Sequence, residues 1–553
     1  MQLRNRSFDS KRSLSAPSRP VRRARRSAVA LVGVALVAAT AAGCGSSVPS
    51  GAAGGEGGGS QTLDIAYNTG LTNIDPALAC SSPYDYHVVT AAYDNMIELS
   101  PRRDASGAQE VAPALAERWN VSRDGKTYTF SLRRDATFAS GNPVTADDVV
   151  FSLRRLLDRD GCQAYVLTMG EKGLFRSIEK VDDHTVRVRI AHSDPLFLLR
   201  MTSRGNGPID RRLLAQHGGL SRAGDEWLAR HTAGAGAYEL ESYDPDSEVR
   251  LRARPNYWRE PVGAKNVVMR IVTDPTTLQT LTASGDVDLA YGVGLKDLRS
   301  LEQQGRQIFA NASNRYAYIG LNNDKPPVDD ARVREALWLA MPHAELQERF
   351  GYGYARAFAG MIPPAMPFYP GFAVPARDVE RAKQLIQQAG ATGKRISLAV
   401  KSGETEQLQM ATALQSAWKE IGIDVQINTL SASAFSDTVS NFKTQAYILR
   451  DGSSVNDPAF FLGFFAMCGN PFNWSRYCDR DVDRLLDEGR TEPDQKRRAQ
   501  IYREASERIV ADNPILPIFA SDTIAVASPR LRGYEYFDDQ QLVIRKLKVD
   551  GAS

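Results

Sequence analysis

Residues 396–427 constrain the fold most. Residues 396–400 (ISLAV) form an apolar run of strand length, residues 406–421 read as a helix that stops at Gly422, and residues 423–427 return to strand. Two strands bridged by a helix through short joints make a βαβ unit, whose crossover is right-handed. Upstream, Asp330 is placed to cap a helix with Val333, Ala336, Leu337 and Ala340 on one face. Asp378 is placed to cap another that ends at Gly390. Helices alternating with short strands across the second half predict α/β lobes.

The first half adds shorter signals. Residues 62–67 (TLDIAY) alternate as a strand does. Residues 115–119 lead into the turn signal Asp124-Gly125, after which Tyr128, Phe130 and Leu132 alternate with polar neighbours as in a half-buried strand. Thr145-Ala146-Asp147-Asp148 is a capping box with Asp148 in the place usually held by Glu, followed by Val149, Val150, Leu153, Leu156 and Leu157 at helical spacing. No internal repeat and no coiled-coil heptad is present. At 553 residues the chain is too long for one core, and two to four domains are expected.

The N-terminus reads as an address. Arg22, Arg23, Arg25 and Arg26 precede residues 28–42, which carry no charge, and Ala41-Ala42-Gly43-Cys44 follows. A basic region, a short apolar region and small residues describe a secretory signal. A Cys directly after them resembles a lipobox, with Ala41 where Leu is usual. On this reading residues 1–43 are a lipoprotein signal peptide, and Cys44 becomes a diacylated N-terminus held on the bilayer. Plain secretion with a disulfide-forming Cys44, and twin-arginine export through Arg25-Arg26, are the alternatives. Residues 44–60, rich in Gly, Ser and Ala, form a flexible tether. The expected location is extracytoplasmic, on the outer face of the cytoplasmic membrane.

Charge and cysteines agree with export. The net charge of +3 owes much to the Arg-rich first 26 residues, so the body is slightly acidic, unlike a nucleic-acid binder. No apolar run is long enough for a permanent membrane-spanning helix. Beyond Cys44 stand Cys80, Cys162, Cys468 and Cys478, an even number suited to pairing outside the cytoplasm. Three pairings are open. Cys80–Cys162 with Cys468–Cys478 is preferred because it joins the two close cysteines. A zinc site lacks the C-x-x-C spacing it would need.

Catalytic signatures are absent. There is no H-E-x-x-H pair and no G-x-S-x-G elbow, and residues 390–395 lack phosphate-loop spacing. Gly234-Ala235-Gly236 lacks the third glycine of a dinucleotide site. No metal, cofactor or catalytic residue is assigned.

An ordered block resembles a known family. It runs Ala116-Glu117-Arg118-Trp119, then residues 124–133 (DGKTYTFSLR), then Phe138, Gly141, Pro143 and Thr145-Ala146-Asp147-Asp148-Val149. This is similar to the signature of the bacterial extracellular solute-binding proteins of family five, the oligopeptide and dipeptide receptors and their relatives. Later landmarks keep the family's order: Gly234-Ala235-Gly236-Ala237-Tyr238, Pro255-Asn256-Tyr257-Trp258, Gly285-Asp286-Val287-Asp288, residues 318–322 with 332–337, and Asp512, Pro514 and Pro517. The first two depart at some positions. The likeness covers about residues 62–547.

The resemblance implies a two-lobed α/β fold of the periplasmic-binding type II class with an extra domain inserted in lobe 1. Residues 61–94, 235–315 and 515–547 are expected in lobe 1, 95–234 in the inserted domain and 316–514 in lobe 2. It implies a non-enzymatic monomer that captures a peptide, closes by a hinge and docks on an ABC permease. Relatives carry nickel chelates, haem, sugars or opines instead, and an unrecognised secreted hydrolase or a surface scaffold are the rival classes. Peptide binders of the family hold the ligand amine with an aspartate ahead of an Asp-Pro pair. Here Arg450-Asp451 precedes Asn456-Asp457-Pro458, with longer spacing than usual, so that Ser454 takes that place if no gap is allowed. Asp451 is the candidate amine ligand, with Arg450, Ser454 and Asp457 beside it. Arg450 is alternatively a structural ion-pair partner of Asp451.

Overall fold

The computed structural model describes residues 62–79, 84–104 and 107–551. The signal peptide, Cys44, the tether and Cys80 lie outside the described residues.

Two large sheets organise the chain. The first has seven strands in the order Gln307–Asn311, Thr523–Ala527, Leu289–Tyr291, Thr62–Tyr67, Asn266–Ile271, Glu248–Ala253 and Tyr238–Asp244. Thr62–Tyr67 is central and parallel to both neighbours. Its Leu63, Ile65 and Tyr67 pack on one face with Val267 and Met269, while Ala66 packs on the other with Leu278 and Leu298. The alternation seen in the sequence marks two covered faces, as a parallel centre requires.

The second sheet has six strands in the order Ala355–Arg356, Ile515–Ser521, Tyr316–Leu321, Ala446–Asp451, Arg395–Lys401 and Asp424–Leu430. Arg395–Lys401 and Asp424–Leu430 are parallel, joined by the helix Thr405–Glu420 as the βαβ pattern requires. Helices Ala331–Ala340 and Val379–Gln388 cover the same face, with Val333, Leu337, Leu385 and Trp418 in one core. Their caps are Asp330 and Asp378, whose side chains accept from the amides of Arg332 and Arg381. Helices Pro458–Phe465, Arg480–Thr491 and Gln495–Asp512 cover the other face.

The inserted domain carries a four-stranded antiparallel sheet with the helix Ala146–Arg159 packed on Phe130, Val186 and Val188. Thr145 and Asp148 form the reciprocal capping box; the Asp148 carboxylate accepts from the Thr145 amide at 3.0 Å. The Gly234-Ala235-Gly236 run crosses closely over residues 91–93. A Cβ on Gly236 would stand 2.5 Å from the Ala91 carbonyl oxygen, which accounts for the glycine without any nucleotide.

One expected boundary is corrected. Ile515–Ser521, expected in lobe 1, lies in the second sheet, paired antiparallel with Tyr316–Leu321. All seven of its residues are buried, which suits an inner strand of a sheet covered on both faces. The chain therefore passes between the two sheets at residues 311–316 and again at 521–523.

Candidate functional site

A cavity of about 390 Å³ opens where these crossings meet. The first lobe contributes Tyr84, His87, Tyr291, Tyr534 and Tyr536, the second contributes Glu406 and Arg450, and the crossings contribute Arg315 and Asp522. Few apolar side chains reach this wall, so it offers aromatic faces and charges to a polar ligand.

The aromatic wall is held from behind. Tyr67, from the central strand of the first sheet, stacks with Tyr291 at 5.8 Å and touches Tyr84 at 4.4 Å between ring centres. His87 Nε2 lies 3.1 Å from the Gln540 carbonyl oxygen, which can only accept, so this nitrogen carries the proton. Nδ1 then accepts from the Tyr67 hydroxyl at 2.9 Å. Burial pushes the His87 pKa down to about 3, so the ring is neutral and fixed in one tautomer.

The four candidate residues separate. Arg450 and Asp451 are successive residues of one strand and so point to opposite faces. Arg450 reaches the cavity and donates to Glu406 at 3.2 Å, so its carboxylate partner is Glu406 rather than Asp451. Asp451 stands behind the wall at the end of the strand, directly opposite Tyr316 in the ladder. Its carboxylate accepts from the Gly452 amide at 2.7 Å. Among the described residues no cation lies within ion-pairing distance of it. Burial raises its pKa, and the nearby Arg315 charge opposes that rise.

Ser454 and Asp457 lie elsewhere. Ser454 borders a separate cavity of about 20 Å³ with Asn456 and Asp538. Asp457 caps the helix Pro458–Phe465, accepting from the Ala459 amide at 2.8 Å and from Arg498 at 2.9 Å. Its Oδ1 is committed to the fold.

The sequence reading missed Arg315, Glu406 and the tyrosines of the wall. No local signal was available, because Tyr84 and Tyr534 reach the wall from segments 450 residues apart.

Cys468 and Cys478 are joined by a disulfide in the loop between the helices Pro458–Phe465 and Arg480–Thr491. Cys162 is also disulfide-bonded, and its Sγ lies 3.9 Å from the carbonyl oxygen of Ala79, the neighbour of position 80. A larger groove of about 1030 Å³ separates the inserted domain from the second lobe. It is bridged by Asn470 to the Tyr165 hydroxyl at 2.7 Å and by Arg490 to Glu171 at 3.0 Å.

The family model "Bacterial extracellular solute-binding proteins, family 5 Middle" matches residues 110–473. The chain belongs to this family. Heme-binding protein A of Haemophilus influenzae is 28% identical to this family 5 protein over 466 residues, covering 80% of this chain and 84% of that one. Di/tripeptide-binding protein 1 of Pseudomonas aeruginosa is 27% identical over 438 residues, covering 74% and 81%. The periplasmic binding protein DppA of Helicobacter pylori, solved with the peptide STSA, superposes with a TM-score of 0.78 at 23% identity, covering 88% of this chain and 98% of that one. That likeness establishes the fold of the family 5 protein as the two-lobed type II periplasmic-binding architecture. Among the described residues no helix is long and apolar enough to cross a membrane.

Proposed function

We propose that this protein is the substrate-binding component of an ABC importer and captures short peptides in the cleft between its lobes. The observation that carries the reading is the cavity at the two chain crossings, with Asp451 on the strand that also sends Arg450 into it. Relatives whose names specify di- and tripeptides support the ligand class. The protein acts without catalysis, as a monomer, and passes its ligand to a membrane permease. It is exported, cleaved before Cys44 and held at the outer face of the cytoplasmic membrane by acyl chains on that cysteine.

A haem ligand, suggested by the Haemophilus relative, is less well served. His87, on the cavity wall, has both ring nitrogens engaged within the protein, leaving neither free for an iron.

Asp451 pairs with the ligand's ammonium group. In a closed cleft, losing one partner of such a pair costs about 2–5 kcal/mol, or roughly thirty-fold and more in affinity. Calorimetry on a free-amine tripeptide and its N-acetylated form tests this. Asp451→Asn should abolish the preference for the free amine, and wild-type affinity in the variant would refute the assignment. Cys44→Ser should move the protein from the membrane fraction to the medium; unchanged retention with an unmodified Cys44 would refute the anchor.

A further inference from the structure

Three spaces follow one another along the seam between the lobes. Arg450 faces the cleft cavity of about 390 Å³, Val455 and Asn456 border the space of about 20 Å³, and Phe460 and Phe464 line the groove of about 1030 Å³. The facing wall keeps the order: Gln540 and Gln541 look into the cleft, Asp538 and Asp539 into the small space. Toward the groove, Val455 packs with Val166 and Phe460, and Met169, Leu199 and Phe464 close around them. The middle space has room for about one water molecule. Residues 452–456 therefore stand as a partition between the cleft and the groove.

Bonds to the crossing and to the facing wall fix this partition. Asn314, buried on the crossing at 311–316, donates to the Ser453 carbonyl oxygen at 3.0 Å and to Asn456 Oδ1 at 3.1 Å. Its own Oδ1 accepts from the Ser453 amide at 3.2 Å. Asn456 Nδ2 then donates across the seam to Asp538 at 2.7 Å. Asp538 is held on its own side by both terminal guanidinium nitrogens of Arg103, at 2.6 and 2.7 Å, and its amide donates to Gln109 at 2.9 Å. Its charge is thus compensated without Asn456. The Asn456–Asp538 bond can break when the lobes part, because water then satisfies both groups. A loop tied to the crossing, latched to the facing wall and tipped by an apolar Val455 seals the seam in the closed form.

We propose that residues 452–456, latched by the Asn456–Asp538 bond, set the length of the ligand: they confine the cleft to a short peptide and deny a longer one the groove beyond. The proposal rests on reading the interlobe cleft as the peptide site. At about 390 Å³ the cleft cavity lies near the small end of ligand pockets, which run from about 300 to about 1,000 Å³. Without the partition it would continue into a groove whose Tyr165, Phe460 and Phe464 suit an apolar or aromatic extension.

The experiment is titration calorimetry and thermal unfolding of wild type, Asn456→Ala, Val455→Ala and the double variant. The probes are trialanine and two pentapeptides that extend it, Ala-Ala-Ala-Ser-Phe and Phe-Ser-Ala-Ala-Ala, which offer the groove a phenylalanine from either end. Wild type should prefer trialanine to both pentapeptides by about tenfold or more, the scale on which a closed pocket rejects an added group. Each variant should bind one pentapeptide more tightly than wild type does, the double variant by about tenfold or more, with trialanine affinity unchanged. The pentapeptide that gains shows which end of the ligand points at the partition. The single variants carry the test if the double variant does not fold. An unchanged preference for trialanine in folded variants overturns the proposal. So does a parallel loss of all three peptides, which would make the loop part of the cleft wall instead of its partition. If wild type binds all three probes alike, length selection falls while the peptide cleft stands. If wild type binds none, the peptide reading itself fails and length selection with it.

Discussion

Burial acts in opposite senses on His87 and Asp451: it lowers the pKa of the imidazole and raises that of the carboxyl group. For His87 the folded pKa, about 3, lies below the ordinary 6.5, so between these values the unfolded chain binds a proton that the folded chain refuses. Stability should therefore fall as pH drops through that window, by up to about 1.4 kcal/mol per pH unit. His87→Gln should lose less stability than wild type between pH 7 and pH 5 in urea unfolding; equal losses would show that His87 titrates normally. His343, pushed down to about 4 by burial, remains in both proteins and so cancels from the comparison. For Asp451 the sign is reversed. Its raised pKa means that affinity for an ammonium ligand should start to fall at a pH above the ordinary 3.8. In the sequence only the family resemblance set Asp451 ahead of Asp457 as the ligand group, and neither burial nor partners were legible. Only the position of Arg498 shows that Asp457 is spent on a cap and an ion pair.

At the scale of elements, local chemistry was readable and partnership was not. The capping box at Thr145, the caps at Asp330 and Asp378 and the 396–427 unit depend on neighbours a few residues away, and the sequence displays them directly. The central strand Thr62–Tyr67 instead pairs with Asn266–Ile271, some two hundred residues on. Nothing in its six residues specifies that partner. The boundary at 515 failed for the same reason: an apolar run buried on both faces fits either sheet, and its register with Tyr316–Leu321 decides. Gly320, within that register, carries a prediction. A Cβ there would stand 2.1 Å from Tyr447 Cζ, because the Tyr447 ring lies across the glycine from the next strand. Gly320→Ala should cost about 1–3 kcal/mol by overpacking, measured as a lower urea midpoint with an unchanged slope. A midpoint equal to wild type would mean that the ring moves aside freely. The Cys468–Cys478 bridge closes a loop of 10 residues, and replacing both cysteines by serine should cost about 3 kcal/mol.

For the whole molecule, the two crossings at 311–316 and 521–523 are the covalent links between the sheets, and short paired links of this kind serve as hinges. The inserted domain joins the chain through the first lobe, so everything it shares with the second is non-covalent. Tyr165 stands edge-on to Phe464 at 4.3 Å and to Phe472 at 5.1 Å, its hydroxyl accepts from Asn470, and Glu171 accepts from Arg490. Rotation about the crossings that opens the cleft must break these contacts, and closure must restore them. The free energy of closure therefore has sources besides the ligand in the cleft, and the inserted domain on the second lobe is one that can be tested separately. Saturating trialanine should reduce the radius of gyration of wild type in small-angle scattering. Tyr165→Ala combined with Glu171→Gln weakens that contact and leaves the cleft wall intact. The variant should reach the same compact radius with ligand, should be more open without it, and should release ligand faster. An identical radius for wild type with and without ligand would rule out hinge closure. A variant that matches wild type in free radius and release rate would show that the inserted domain rides passively on the first lobe, leaving the ligand alone to hold the two lobes together.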